Sequence, residues 1–350
     1  MTSPSLLSRF RGCLLAGAVG DALGAPVEFT LLPEIVDEYG PEGPANLEAG
    51  GFPAGSFTDD TQMTLFVAEG LIHSLEDRRA TGKDPDINLM LRAHWRWLTT
   101  QEFWPAGDLG PELVDSWLSR EPGLRESRSP GNTCLTALRS GEVGTPIRPL
   151  NDSKGCGGVM RVAPVGLAWP GDPFPYACQV AALTHGHPSG WLAAGCLARI
   201  IRELLNGAVL EDAVERTLPE LARFPRHEET LQALERAEAY AAMGAGLPEE
   251  VESLGAGWVA EEALAIAVFC AEVAPDVETA MRLAVTHSGD SDSTGAITGN
   301  LLGAMHGLDA IPQRWLDQLQ LREVVDTVAT DLYCAAHEPD ALDRKRWGLG

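Results

Sequence analysis

The sequence predicts an all-α fold, a compact single-domain helical bundle, on three observations. Apolar residues recur at spacings of three and four wherever a period is readable. Alternating β-branched runs of the kind strands need are nearly absent. The stretches between periodic segments are rich in Gly and Pro, which break helices and turn the chain. Helices that each carry an apolar face bury it against one another, so the default architecture is a bundle around one core.

The elements follow in order. A first apolar run, rich in small residues, ends in Gly17-Ala18-Val19-Gly20-Asp21-Ala22-Leu23-Gly24. Glycines at this spacing let another backbone approach closely. Periodicity then predicts helices over residues 61–75, 87–98, 190–205, 261–273 and 321–334, and an apolar helix over 296–306. Glu228–Met243, rich in Ala and Glu and bracketed by Pro-containing turns, reads as a peripheral helix. Gly/Pro-rich connections at 38–55, 107–111, 127–131, 141–158 and 169–175 include several long enough to be functional loops. With no internal repeat and no domain-marking linker, the chain reads as one domain over 1–350, its core spanning about 8–335, followed by a short C-terminal tail.

Composition bounds the function. The chain has 350 residues, 45% hydrophobic and 22% charged, enough apolar material for a sizeable core. Asp+Glu 50 against Lys+Arg 26 gives a formal net charge of −24, a field that repels phosphate backbones and anionic lipid. Bulk nucleic-acid and membrane partners are therefore not expected, although a local site of cations and backbone amides can invert the field for a small anion. The seven cysteines are scattered, odd in number and form no C-x-x-C pair, as reduced core thiols of a cytoplasmic protein would. Residues 9–25 place two arginines before an apolar run, as a leader peptide does, but Asp21 interrupts the run. No apolar segment approaches the ~20 residues of a membrane span.

Three segments carry the chemistry. Thr58-Asp59-Asp60-Thr61-Gln62 leads into an apolar helix; its ordinary reading is an N-terminal cap, Asp59 with Gln62 resembling a capping box. Asp290-Ser291-Asp292-Ser293-Thr294 leads into another, and offers two carboxylates with hydroxyls between them on an extended turn. Carboxylate and hydroxyl oxygens are what hard cations such as Mg²⁺ and Mn²⁺ prefer, while the ordinary reading is again a Ser/Asp cap. Glu28, just past Pro26, is either a surface glutamate or a loop carboxylate facing a helix start. If Glu28, Asp59, Asp60, Asp290 and Asp292 share one pocket, they cannot all stay ionised without cations. Two divalent ions about 3.5–4 Å apart would be the natural solution.

Gly12 to Phe29, then Thr58-Asp59-Asp60-Thr61, then Gly289-Asp290-Ser291-Asp292-Ser293-Thr294-Gly295 resemble, in order and spacing, the ADP-ribosylglycohydrolase family. Asn132-Thr133-Cys134-Leu135, the glycine loop from Ser153 to Arg161 and Leu183-Thr184-His185 extend the resemblance over nearly the whole chain. It implies an all-α fold with two Mg²⁺ (or Mn²⁺) ions in a central cleft. The family's metal ligands would fall on Thr58, Asp59, Asp60, Asp290, Asp292 and Ser293, the last standing where some members have threonine. The loop Ser153, Lys154, Gly155, Cys156 and Gly157 matches the segment that cradles a diphosphate, and His185 a histidine lining the cleft. Consecutive glycines can form such an anion nest, and a lysine there would add a point charge. Glu28 matches an acidic residue near the metals; the carboxylate that guides protons is either Glu28 or Asp60.

The resemblance implies removal of ADP-ribose from a modified acceptor, a protein or a small molecule, with arginine slightly preferred, and free ADP-ribose as product. Two other functions fit the same residues. A two-metal phosphoesterase would use the acidic cluster on a phosphate ester, and a catalytically inactive relative would bind ADP-ribose without turnover.

Overall fold

The structure, a computed structural model, describes residues 4–107, 110 and 115–349, so part of the 107–111 connection lies outside the described residues. Among these the chain forms helices and no sheet; only two isolated bridges occur, Thr145 with Arg148 and Gly155 with Val259. In chain order the helices are α1 (Leu6–Gly24), α2 (Leu32–Tyr39), α3 (Asp59–Thr81), α4 (Asn88–Thr100), α5 (Trp117–Arg120) and α6 (Asn132–Arg139). There follow α7 (Ala163–Ala168), α8 (Pro173–Ala182), α9 (Pro188–Leu205), α10 (Leu210–Leu221), α11 (Glu228–Met243) and α12 (Pro248–Leu254). The last are α13 (Ala260–Val273), α14 (Val277–Ala284), α15 (Ser291–His306), α16 (Gln313–Gln318) and α17 (Arg322–His337).

The axis of the fold is the antiparallel pair α1 and α15, and small residues make it. A Cβ on Gly12 would lie 2.8 Å from the Gly303 carbonyl oxygen, one on Gly20 2.0 Å from that of Gly295, and one on Gly24 2.2 Å from that of Ser291. From the other side, a Cβ on Gly299 would lie 2.1 Å from the Ala16 carbonyl oxygen. Positions 12, 16, 20 and 24 on one helix thus face 303, 299, 295 and 291 on the other, and glycine or alanine at most of them lets the two backbones touch. From Gly12 to Gly24 every residue of α1 is buried. Around the pair lie α3 and α17 on one flank and α13, α14 and α9 on the other, with α11 packed on α13.

The periodic segments of the sequence are helical, with ends shifted by a few residues as fraying and caps dictate. Two helix starts differ more. The helix expected from 296 begins at Ser291, so Asp290-Ser291-Asp292 is a first turn and not an extended loop. Helix α3 is capped by Thr58, whose Oγ1 accepts the Asp60 N–H at 3.3 Å, and not by an Asp59–Gln62 box. Gln62 faces the core instead, accepting from Trp97 Nε1 at 3.2 Å and Gln101 Nε2 at 3.0 Å.

The segment after 335, read as a tail, packs onto the core. Leu342 and Trp347 are buried, Trp347 Nε1 donates to Asp331 at 2.8 Å, and Arg344 and Arg346 pair with the buried Glu76 and Asp331. Such a short segment has no readable period; its anchors are single apolar and basic residues that find partners only in three dimensions. All seven cysteines are unpaired, and no described helix is long and apolar enough to cross a membrane.

Candidate active site

The site forms where three chain segments end or begin together. The C-terminal end of α1 brings Asp21 and the following turn Glu28; the start of α3 brings Thr58, Asp59 and Asp60; the start of α15 brings Asp290, Asp292 and Ser293. Carboxylate oxygens of Glu28, Asp290 and Asp292 lie within 4.8 Å of one another. Asp60 joins this group from α3, accepting a hydrogen bond from Ser293 Oγ at 2.8 Å. Asp59 lies beside the start of α6, its Oδ2 3.5 Å from the Gly131 amide nitrogen. Asp290 occupies the N-cap position of α15 yet its side chain caps nothing; it accepts from Cys156 Sγ at 2.8 Å.

Asp21 organises the floor, a role that sequence reading missed. Fully buried, it accepts from the Thr58 amide at 2.8 Å, the Thr61 amide at 2.9 Å and Thr61 Oγ1 at 2.6 Å. A side chain of α1 thereby holds the first turn of α3. The one signal in the sequence was a carboxylate inside an otherwise apolar, small-residue run.

The electrostatics are those of negative charge gathered out of water. Burial first, then the charge on Asp292, lifts Asp21 to about 7 and Glu28 to about 9. The same causes in the same order hold Asp59, Asp60 and Asp290 well above the usual carboxylate range. Two ionised carboxylates about 4 Å apart repel by roughly 4 kcal/mol at an effective dielectric near 20. Five such groups need either protons or cations. The carboxylates with the Thr58 and Ser293 hydroxyls are an oxygen-rich donor set that fits hard divalent cations, with one thiol, Cys156, beside Asp290.

The glycine loop forms the opposite wall. Cys156–Gly158 is a single 3₁₀ turn. Beneath it lies Arg161, which the sequence placed at the end of the loop without a role: fully buried, it donates to the Gly157 carbonyl at 2.6 Å and to Thr184 Oγ1 at 2.7 Å. His185 supports the loop from below. It is buried, Thr184 Oγ1 lies 2.8 Å from its Nδ1, and a Cβ on Gly157 would lie 2.9 Å from its ring. Burial, then Arg161, lowers His185 to about 3, so the ring is neutral. Of the loop amides, Gly155 donates to Ser153 Oγ at 3.3 Å and Cys156 to the Trp258 carbonyl at 3.2 Å.

Two side chains of this wall are engaged by neighbours. Lys154 Nζ is held by Glu261 at 2.5 Å and Glu229 at 3.1 Å. The Cys156 thiol lies 2.8 Å from Asp290 Oδ2 and 3.6 Å from Ser293 Oγ. At the rim, Phe29 and Trp258 stack with ring centroids 5.0 Å apart, both partly exposed.

Fold and cleft together define an all-helical protein whose helix ends deliver an oxygen-rich acidic cluster opposite a glycine loop. The chain belongs to the ADP-ribosylglycohydrolase family, whose model matches residues 2–341. It is 27% identical to the ADP-ribosyl-[dinitrogen reductase] glycohydrolase of Rhodospirillum rubrum, over 92% of this chain and 94% of that protein. It is also 27% identical to the ADP-ribosylarginine hydrolase Tri1 of Serratia proteamaculans, over 95% of this chain and 81% of that one. A solved structure described as an ADP-ribosylglycohydrolase-related protein complex superposes with a TM-score of 0.69 at 28% identity, covering 95% of this chain and 99% of that chain. Family membership indicates an ADP-ribosyl hydrolase.

Proposed function

We propose that the protein hydrolyses the glycosidic bond between ADP-ribose and a modified acceptor, with two Mg²⁺ or Mn²⁺ ions in the acidic cleft. The observation that carries this reading is the convergence of Glu28, Asp60, Asp290 and Asp292 from three distant segments into one acidic cluster. Thr58, Asp59, Asp60, Asp290, Asp292 and Ser293 would hold the ions. When bound, they supply Lewis-acid anchoring of a sugar diol and lower the pKa of nearby water.

The chain's own groups do the rest. Asp21 and Ser293 keep the carboxylates of α3 and α15 in register. The loop from Ser153 to Gly157, braced by Arg161 and His185, would receive the diphosphate. Glu28 is only partly buried, whereas Asp60 is buried and tied to Ser293. That difference favours Glu28 as the group that reaches the scissile bond and moves a proton at its carboxyl oxygen. The bond would break through an oxocarbenium-like transition state. Arginine is the preferred acceptor because a guanidinium suits an acidic mouth, and because relatives that cover most of the chain are named for ADP-ribosylarginine.

The test is a panel of ADP-ribosylated arginine, serine and nucleotide substrates with Mg²⁺. The proposal expects free ADP-ribose, fastest from arginine. Inorganic phosphate or AMP as product would identify a phosphoesterase, and tight ADP-ribose binding with no turnover on any acceptor an inactive relative.

A further inference from the structure

We propose that Lys154 is a positioning residue, a lock that ties the 153–158 loop to α11 and α13, and not a ligand of the diphosphate. The proposal rests on the reading of that loop as the diphosphate cradle. Lys154 grips the first turn of α13 twice. Its carbonyl accepts the Ala260 amide at 2.8 Å, and its ammonium reaches Glu261, one residue further on, at 2.5 Å. The same ammonium donates to Glu229 at the start of α11, at 3.1 Å, and Glu229 also accepts from Ser189 Oγ at 2.7 Å.

The Glu261 side chain is only 7% exposed, and its Oε2 has no hydrogen-bond partner, so Lys154 is the group that keeps this buried charge compensated. One ammonium between two carboxylates leaves a net charge of −1 on the cluster. It therefore offers a phosphate no attraction. What it offers is order. Gly155, Gly157 and Gly158 widen the range of conformations open to the loop when nothing restrains it, and fixing a backbone residue costs about 1–2 kcal/mol of conformational entropy. A loop ordered before the ligand arrives avoids that loss on binding. The lock also gives the outlying helix α11 a connection to the site, through Glu229.

The experiment compares the full chain with Lys154→Met, Lys154→Arg and Glu261→Gln, all in Mg²⁺, by amide hydrogen exchange of residues 155–158 and by ADP-ribose titration calorimetry. Lys154→Met is expected to speed exchange of these amides and weaken ADP-ribose by about tenfold. Lys154→Arg, which can still bridge two carboxylates, restores both to within about twofold. Glu261→Gln also weakens ADP-ribose, by about threefold, although it removes a negative charge near an anion. A phosphate-ligand role predicts the opposite sign, because losing Glu261 would free the lysine and tighten ADP-ribose. Tightening in Glu261→Gln, unchanged exchange in Lys154→Met or failure of arginine to rescue would each overturn the lock. Faster exchange with unchanged ADP-ribose affinity would overturn the positioning role. The cradle reading is tested separately: if ADP-ribose fails to protect amides 155–158 in the unmutated protein, that reading falls whatever the variants do.

Discussion

At the scale of single residues, the site is governed by carboxylates that cost free energy when ionised without a counter-ion. Asp290→Asn and Asp292→Asn should abolish Mg²⁺-dependent turnover while circular dichroism stays helical, since each removes charge from a cluster that repels itself. Asp21 behaves differently because it is structural. Asp21→Ala would strand three buried donors at the start of α3, each worth about 1–3 kcal/mol. The expected loss is about 3 kcal/mol in chemical denaturation, with weakened Mn²⁺ binding. The pH dependence has a definite sign. Folding raises Asp21 from 3.8 to about 7 and Glu28 from 4.5 to about 9 in the metal-free chain, so the folded state holds more protons than the unfolded state across that interval. These groups favour the folded state below pH 3.8, and the contribution fades as pH rises through 7 and 9. The proposed cations would compete for the same oxygens, so the gain in melting temperature on adding Mg²⁺ should be larger at about pH 8 than at about pH 5.5. An equal gain at both would contradict the assignment of these carboxylates.

At the scale of elements, the α1–α15 contact sets the site's geometry, because it fixes the end of α1 against the start of α15. Gly303→Ala sets two effects against each other. Alanine gains about 1 kcal/mol of helix propensity over glycine. Its Cβ would lie 2.1 Å from the Gly12 carbonyl oxygen, and overpacking typically costs about 1–3 kcal/mol. Contact with backbone cannot be relieved by a rotamer change, so the variant should be less stable, and thermal denaturation would show it. How much of this was legible in the sequence follows from the same physics. The long helices were, because a 3.6-residue period is local, and so was the close approach of a backbone to the glycines of α1. The partner helix was not, since nothing local links residue 20 to residue 295. Nor was the start of α15 at Ser291, where Ser and Asp favour caps and turns by propensity and tertiary contacts prevail.

At the scale of the whole molecule, helix ends from three distant segments converge to gather carboxylates at one place. The candidate carboxylates were legible as short acidic motifs beside apolar runs. Their supports were not, because Asp21, Arg161 and the partners of Lys154 act across distances in sequence that no motif spans. The C-terminal segment teaches the same lesson. Removing residues 338–350 would expose the site of Trp347 and Leu342, take Arg344 from Glu76, which keeps Arg79, and unpair Asp331, at an expected cost of about 3–5 kcal/mol in denaturant unfolding. The most direct test of the central claim is manganese binding to the metal-free protein, counted by electron paramagnetic resonance. Two Mn²⁺ per chain, reduced in Asp290→Asn and Asp292→Asn, is the predicted result; no bound manganese, or binding indifferent to both substitutions, would contradict it.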